Sequence, residues 1–288
     1  MKIWFVNKSN SSFIIQDYEI LKRHFDMGNS HDFDVAFSWF ANWKSAYAVQ
    51  KAKKLGKKSV VVIGGYDVAY EPSIGYGAFT KFKETIPAKY VLKNADLLLP
   101  VSQFTKREIL ERIGRKKIRG EIHVVYNGVD TKKFIPSKEK EDIIFSMGRK
   151  SKEKLKGIDT FFEAMKFLPY KYEVIGYEKT IPHDEVAKKL SIGKIFCQLS
   201  WRESFGMGIA EAMSCGCVPV VTHRGAIPEV VGDVGIYVSY GDPYQTLIAV
   251  ECAFRLHRFL SERVRKRIQL HFPLERREKT LVEMIECI

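Results

Sequence analysis

The sequence predicts an α/β protein built from two doubly wound, parallel-sheet domains. Short apolar, β-rich runs alternate with segments of helical period through the first half of the chain. A polar segment follows, and a second alternation of the same kind fills the second half. Such alternation is typical of parallel sheets covered by helices. At 288 residues the chain exceeds the usual domain length of about 100 to 150 residues, so two domains are expected.

In the first half, five runs have the composition of buried strands. They read, in order, KIWFV, DVAFSWF, KSVVVIGG, ADLLLPVS and IHVVYN. The segments NWKSAYAVQKAKKL and SQFTKREILERIG lie between strands and have the period of amphipathic helices. This order predicts parallel strands joined by helices.

The second half begins after the polar segment YNGVDTKKFIPSKEKED, which reads as a linker. Its strands are predicted to be IIFSMG, YEVIG, KIFCQLS, VPVVTH and GIYVSY, with helices at GIDTFFEAMKFL and after Gly206. We therefore expect domains at residues 1–138 and 139–270, followed by a helical segment at residues 271–288.

Composition and charge narrow the class of protein. No run approaches the ~20 apolar residues of a spanning helix, and the N-terminus lacks the features of a signal peptide, so a cytoplasmic location is expected. Residues 1–140 hold 25 Lys and Arg against 14 Asp and Glu, which is +11 of the net +13. This excess is either a solvated surface or a field that attracts an anionic partner. The five cysteines lack the spacing of a zinc site and are expected to be reduced thiols.

Two carboxylates flank a predicted helix start in the second half. Ligands of open parallel sheets bind beyond the carboxyl ends of the strands. Glu203 lies in the loop after KIFCQLS, and Glu211 lies about a turn and a half into the helix that follows. Exposed backbone N–H groups and the helix dipole can bind an anion here; the groups belong to Ser204, Phe205, Gly206 and Met207. An ordinary strand-to-helix turn with a capping acid is the alternative.

The loop after IIFSMG adds positive charge. Gly148 and Arg149 follow the predicted strand, and several lysines precede the next helix. Guanidinium and ammonium groups suit a diphosphate, the first as a planar fork and the second as a point charge. A solvated loop is the alternative when this segment is considered alone.

Together these segments resemble the retaining nucleotide-sugar glycosyltransferases of family 4, which have the GT-B fold of two facing Rossmann-like domains. The family signature is Glu, seven residues and Glu, and Glu203 and Glu211 match it with the accompanying FG and EAM. Other blocks follow in the family's order: ADLLLPVSQFTKREIL, YNGVDTKKF, GRKSKEKLKG, GCVPVVTHRGAIPEVV and VGIYVSYGDP. The resemblance is good from Ala95 to Asp242 and poor before that. It also implies that the C-terminal helix packs back on the N-terminal domain.

The resemblance implies a role for each residue that matches the motif. Arg149 and Lys156 would hold the donor diphosphate, with Lys154 as a rival because the spacing is one residue longer than usual. Glu203 would contact the donor sugar near the reaction centre, and Glu211 would bind the ribose. Fixed cations and backbone amides stabilise the charge of a departing nucleoside diphosphate. The two glutamates are thus not an acid/base pair of the hydrolase type.

The N-terminal half departs from the family pattern. VNKSNSSF stands where the family has a glycine-rich loop, and VVVIGGYDVAYEP stands where the family commonly has a histidine. Gly64, Gly65 and Asp67 are candidates for lining the cleft, together with Asn127 of the YNGVD block. Asp67 alternatively caps a turn.

The resulting prediction is a retaining hexosyltransferase that uses a UDP or GDP sugar and needs no metal or other cofactor. The D-x-D spacing of Asp32 and Asp34 is typical of metal-dependent glycosyltransferases, but these acids precede a strand instead of following one, so the match is interpreted as coincidence. A nucleotide-sugar epimerase, a non-catalytic nucleotide-sugar-binding protein and a nucleic-acid-modifying glycosyltransferase stay open as alternatives. Nucleic acid is a disfavoured partner because no recognition motif accompanies the basic half.

The expected acceptor is anionic, and is lipid-linked or a polymeric glycan, as is common in the family. The basic stretches KFKETIPAKYVLK and RIGRKKIRG lie in the half that would hold the acceptor. Lysines interleaved with apolar side chains can rest on anionic lipid head groups, which predicts peripheral contact with the inner membrane face. A solvated basic face is the alternative.

Overall fold

A computed structural model of the chain describes residues 1–6, 9 and 11–288, which fold into two compact units. The first unit consists of Met1–Asn127 and Glu275–Ile288, and the second of Gly128–Leu274. Each unit is an α/β structure around a parallel sheet, which confirms the predicted fold class. Among the described residues, no helix combines the length and apolar character needed to cross a membrane.

The first unit is built on a parallel sheet. Its described strands are β1 Lys2–Phe5, β2 Asp26–Met27, β3 Val35–Trp39, β4 Lys58–Ile63, β5 Leu97–Pro100 and β6 Glu121–Ile122. They are ordered β2-β1-β3-β4-β5-β6. The helices between these strands are α1 Ser12–His24, α2 Trp43–Lys54, α3 Phe82–Asn94 and α4 Gln103–Ile113. The central strands β3 and β4 are buried along almost their whole length, so their sequences read as continuous apolar runs.

The second unit has a parallel sheet of the same kind. Its described strands are β7 Glu141–Met147, β8 Lys171–Ile175, β9 Gly193–Gln198, β10 Val218–Thr222 and β11 Ile236–Val238, in the order β11-β10-β9-β7-β8. Its helices are α5 Glu153–Lys156, α6 Ile158–Met165, α7 His183–Ile192, α8 Met207–Ser214, α9 Ile227–Val231 and α10 Pro243–His271. Strands β7 and β9 are neighbours, so the loops that follow them leave the same edge of the sheet.

The chain returns to the first unit through its last helix, α11, at Leu274–Glu286. Arg277 of this helix is 3% exposed, and its Nε and Nη2 atoms each lie 2.7 Å from an oxygen of the fully buried Asp17 carboxylate on α1. Its Nη1 donates to the carbonyl oxygens of Val125 and Tyr126. The buried charge is therefore paired and hydrogen-bonded, as burial of a guanidinium requires.

The segment predicted as a linker packs on the second unit. Val129 exchanges backbone hydrogen bonds with Phe272 and Leu274, and Phe134 is almost completely buried. The chain accordingly divides after Asn127, compared with the boundary at 138 expected from composition. The two buried apolar residues of this stretch, Val129 and Phe134, account for the difference, because burying them offsets the cost of ordering the segment.

Candidate active site

The loop after β7 is held tightly against the end of β9. Gly157 has φ +63°, and a Cβ atom at this position would lie 2.0 Å from the carbonyl oxygen of Leu199. The backbone N–H of Trp201 donates to the carbonyl oxygen of Leu155 at 2.9 Å. Only glycine allows the chain to turn here and approach the neighbouring strand so closely. The segment that carries Arg149 and the lysines is therefore fixed beside the Glu203 loop.

Lys156 and Glu203 meet across these two loops. The Nζ atom of Lys156 lies 2.6 Å from Oε1 of Glu203, and both side chains are largely shielded from solvent. Ser200 donates its hydroxyl to the same carboxylate oxygen at 2.8 Å, and Gln198 donates to Ser200. A carboxylate held by an ammonium and a hydroxyl has a fixed orientation, since moving it would break both contacts.

The backbone around Glu203 is fixed as well. Gly225 has φ +61°, and a Cβ atom there would lie 2.2 Å from the carbonyl oxygen of Glu203. The N–H of Ala226 donates to that carbonyl at 2.8 Å. The loop after β10 thus clamps the loop after β9 and leaves no room for a side chain at position 225.

A further cation, Lys152, belongs to this group and was missed by the sequence analysis. Partial burial of its ammonium lowers its pKa, the positive charges of Lys156 and Arg149 lower it further, and Glu203 opposes them. Three cations and one carboxylate therefore share one region at the carboxyl ends of β7 and β9. Lys154 makes a different contact, because its carbonyl oxygen accepts a hydrogen bond from the Tyr240 hydroxyl at 2.7 Å.

The predicted anion-binding turn leads directly into α8. Gly206, at φ +96°, precedes the first helical residue, Met207. Phe205 is buried and packs edge-on against Phe272, with ring centroids 5.5 Å apart. Ser204 lies in the loop before it, and Gly148 directly follows the neighbouring strand β7. These residues lie at the predicted edge of the sheet, where the N-terminal N–H groups of a helix favour an anion.

Glu211 lies in α8 and is only 4% exposed. The Nε2 atom of His183, the first residue of α7, lies 2.8 Å from Oε1 of Glu211. On the other side of the imidazole, Nδ1 lies 3.4 Å from the Nζ atom of Lys133. An ammonium can only donate, so this arrangement favours the tautomer in which Nδ1 accepts and Nε2–H donates to Glu211. Phe134 packs against the imidazole, with ring centroids 5.1 Å apart.

His183 was not singled out from the sequence, where the seven histidines form no cluster. One feature of the sequence could have identified it: His183 follows a strand and begins a helix, which places it at the same sheet edge as Glu211. A second missed feature is an aromatic cluster with an arginine. The Arg224 guanidinium lies 4.1 Å from the centre of the Trp201 ring and 5.4 Å from that of Tyr240.

In the first unit, the predicted cleft residues lie after β4 and near the unit's end. Asp67 is 2% exposed, and its two carboxylate oxygens accept the backbone N–H groups of Ala41 and Gly65. Asp67 thus uses its carboxylate to bind backbone N–H groups, as the alternative prediction of a turn-capping acid expects. Gly64 faces the ring of Phe40, where a Cβ atom would lie 2.2 Å from Cε1.

Phe40 itself is unusual because its φ is +63°, a conformation that an aromatic residue rarely adopts. Such backbone strain concentrates at functional sites. Asn127 is 7% exposed, and within the described part of the chain its Oδ1 atom has no hydrogen-bond partner. A buried amide oxygen without a partner is available to a ligand donor.

The D-x-D pair and the segment VNKSNSSF both lie in the sequence range of the first unit. Asp32 and Asp34 are exposed, and each pairs with a lysine, Asp32 with Lys2 and Asp34 with Lys57. In residues 1–6, 9 and 11–288, no group of three or more His, Cys, Asp or Glu side chains is arranged to hold a metal ion. The departure from the family's glycine-rich loop, VNKSNSSF, includes residues 7, 8 and 10, which lie outside the described residues.

Two parallel-sheet α/β domains, the second carrying cations and carboxylates at adjacent strand ends, define the GT-B class. The model described as Glycosyltransferase Family 4 matches residues 5–133, and the model described as Glycosyl transferases group 1 matches residues 169–254. By these matches the chain is family 4-like, and it has the GT-B fold. The first match extends into residues before Ala95, where the sequence motifs were poor.

Two curated relatives share short segments with this chain. The N-acetyl-alpha-D-glucosaminyl L-malate synthase of Bacillus anthracis is 34% identical over 110 residues, which cover 36% of this chain and 28% of the relative. The O-antigen chain mannosyltransferase B of Escherichia coli is 35% identical over 68 residues, which cover 24% of this chain and 18% of the relative. The matched segments thus span less than a third of the length of either relative.

Among solved structures, HepE of Anabaena in complex with UDP is similar over the whole of both chains. The TM-score is 0.82 at 13% sequence identity, and each chain is covered to 100%. At this level of identity the similarity concerns the fold alone.

Proposed function

We propose that this protein transfers a hexose from a nucleoside diphosphate sugar to an acceptor with retention of the anomeric configuration. The observation that carries the proposal is the fixed Lys156–Glu203 pair, with Arg149 and Lys152 beside it. A cluster of cations at the carboxyl ends of parallel strands suits a diphosphate. The single carboxylate within it suits the hydroxyls of the sugar attached to that diphosphate.

In the proposed reaction, the bond between the anomeric carbon and the phosphate oxygen breaks, and the acceptor oxygen bonds to that carbon from the same face. The acceptor proton passes to the departing phosphate oxygen. Arg149 and Lys156 stabilise the negative charge that develops on the leaving group. Glu203 holds the sugar, while Glu211 accepts hydrogen bonds from the two ribose hydroxyls.

This scheme needs neither a metal ion nor another cofactor, because the side-chain cations supply the positive charge that a metal would otherwise bring to the diphosphate. UDP and UDP-glucose complexes of HepE support a nucleoside diphosphate sugar as donor, and UDP-glucose is the first to test. A GDP sugar is the alternative donor.

The proposed acceptor is anionic, lipid-linked or a polymeric glycan, and is used at the inner face of a membrane by a cytoplasmic enzyme. Charge and exposure in the first unit support membrane contact. Phe82 and Ile86 of α3 are 81% and 45% exposed, and Lys89 and Lys93 continue the same helical face in steps of three and four residues. Apolar and basic side chains on one face suit an anionic lipid surface.

The test is release of nucleoside diphosphate from a panel of UDP and GDP sugars, with and without chelator, followed by assignment of the product's anomeric configuration by NMR. The expected result is release that resists chelator and disappears in Glu203→Gln. Binding without release would indicate a non-catalytic protein, and interconversion of sugars without release would indicate an epimerase. Either result would overturn the proposal, as would an inverted product.

A further inference from the structure

Helix α10 carries an exposed apolar stripe that the donor site does not use. Its inward face is buried through residues such as Ala249, Val250 and Ala253. On the outward face, exposed side chains follow one another at intervals of four, four, four and three residues: Tyr244, Ile248, Cys252, Leu256 and Phe259. This spacing keeps all five on one side of the helix over about 22 Å. We call these five residues the outward stripe.

The outward stripe is exposed to solvent along its whole length. Tyr244 and Phe259 are 73% and 74% exposed, and Ile248 is 51% exposed. Scattered exposed apolar side chains are normal, but a continuous row of them marks an interaction surface. The stripe lies in the second unit, on a helix anchored by its other face, so it is presented to a partner without any rearrangement.

Positive charge borders the stripe. Four exposed cations lie on the same side of α10: Arg255, Arg258, Arg263 and Lys266. One exposed acid, Glu262, accompanies them. In the described part of the chain, none of the four forms an ion pair. Cations left unpaired beside aromatic side chains are complementary to an anionic, apolar partner.

We infer that the outward face of α10 docks on an anionic lipid bilayer. A second copy of the chain is disfavoured as occupant, because pairing two such faces would bring like charges together. The exposed face of α3 in the first unit has the same chemistry, with Phe82 and Ile86 beside lysines. An anionic lipid surface suits each of these faces by the same kind of interaction, whereas a protein partner would need a complementary surface of its own for each.

In the docked state, Phe259 and its neighbours would enter the boundary between head groups and acyl chains, and the arginines would lie at the phosphates. This proposal goes beyond the donor chemistry and does not depend on it. Each cation near an anionic surface strengthens binding by about fivefold. Binding should weaken as salt shortens the screening length from about 10 Å at 0.1 M.

The experiment is sedimentation of the full chain with vesicles of phosphatidylcholine alone and of phosphatidylcholine with phosphatidylglycerol. We expect binding to the anionic vesicles only, reduced roughly tenfold in Phe259→Ser. Phe167→Ser is the matched control, because Phe167 is 75% exposed, against 74% for Phe259, and lies in the same unit outside α10. Combined neutralisation of Arg258, Arg263 and Lys266 should also reduce binding, and neutralisation of Lys171 and Lys179 should not.

A further variant, Phe82→Ser in α3, separates this inference from the membrane contact proposed for the first unit. Loss of binding in Phe82→Ser alone, with Phe259→Ser unaffected, would overturn the inference for α10 and leave the first-unit contact standing. Equal effects of Phe259→Ser and Phe167→Ser would overturn it, as would absence of vesicle binding by the wild type. Self-association in analytical ultracentrifugation that depends on Phe259, without vesicle binding, would overturn it by assigning the face to a second copy.

Discussion

His183 and Glu211 form a hydrogen-bonded pair in the second unit, with Nε2 of the imidazole 2.8 Å from Oε1 of the carboxylate. The carboxylate is almost completely buried, whereas the imidazole remains partly exposed. His183 therefore fixes the rotamer of the acid from one side and leaves the second carboxylate oxygen without this contact. Under the proposed function, that oxygen faces the ribose.

The first prediction separates the roles of the two glutamates. Glu211→Ala should weaken binding of UDP by about 1.5 to 3 kcal/mol, the value of a hydrogen bond to a charged group. Glu203→Ala should mainly lower kcat, because its contacts lie at the reacting sugar. Calorimetry with UDP and steady-state kinetics check this, and an unchanged UDP affinity in Glu211→Ala would contradict the ribose assignment.

The second prediction concerns His183 as a positioning residue. His183→Ala should raise the KM for the donor about three- to tenfold with little change in kcat, since the buried carboxylate loses its orienting donor. His183→Asn, which keeps a donor, should recover part of the affinity. A double-mutant cycle with Glu211→Ala should give a coupling of about 0.5 to 3 kcal/mol in UDP binding. Additive effects would mean that His183 has only a structural role.

The third prediction ranks the cations of the loop after β7. Lys156→Ala should lower kcat by about 10²- to 10³-fold, the usual effect of removing one group that stabilises developing charge. Lys154→Ala should have a much smaller effect on kcat. Lys154 contacts Tyr240 through its backbone carbonyl, whereas it is the Lys156 ammonium that contacts the Glu203 carboxylate. The reverse order in single-turnover rates would show that the loop insertion has been misplaced.

The fourth prediction concerns the attachment of α11. Arg277→Ala should destabilise the first unit by about 3 to 5 kcal/mol, because it leaves the buried Asp17 carboxylate without its cationic partner and with the Trp39 Nε1–H as its remaining described donor. Lys279→Ala is the matched control on the same helix, since its only described ion pair, with Glu283 at 3.9 Å, is exposed and should contribute less than about 1 kcal/mol. Urea unfolding followed by tryptophan fluorescence measures the stability of both variants. Equal unfolding midpoints for Arg277→Ala and Lys279→Ala would contradict the prediction.

The fifth prediction concerns pH. Burial, together with the charges of Lys140 and Lys194, lowers the pKa of His257 from 6.5 to about 4. The unfolded chain thus binds the proton more readily than the folded one, so stability is lost as pH falls from about 6.5 to about 4. The loss should be at most about 3 kcal/mol. In His257→Gln this part of the pH dependence should disappear, whereas in His271→Gln, an exposed control on the same helix, it should persist in urea titrations.

Much of the architecture could be predicted from local patterns. Period-two and period-3.6 alternation of apolar residues reports burial on one side of a strand or helix, so the α/β order of both halves could be read without tertiary information. The positions of Glu203 and Glu211 relative to their helix were likewise local, since a helix fixes the geometry of residues a few positions apart. Arg149 at the end of β7 follows from the same alternation.

Only the tertiary structure decided which distant side chains meet. The His183–Glu211 and Arg277–Asp17 pairs join residues 28 and 260 positions apart, and no periodicity encodes such contacts. They arise when whole elements pack, because a buried carboxylate must find a donor wherever the fold places one. The sequence by itself determined the elements and the chemistry available at one sheet edge. Packing of those elements decided that Lys156 lies on Glu203 and that Asp67 is used by the backbone.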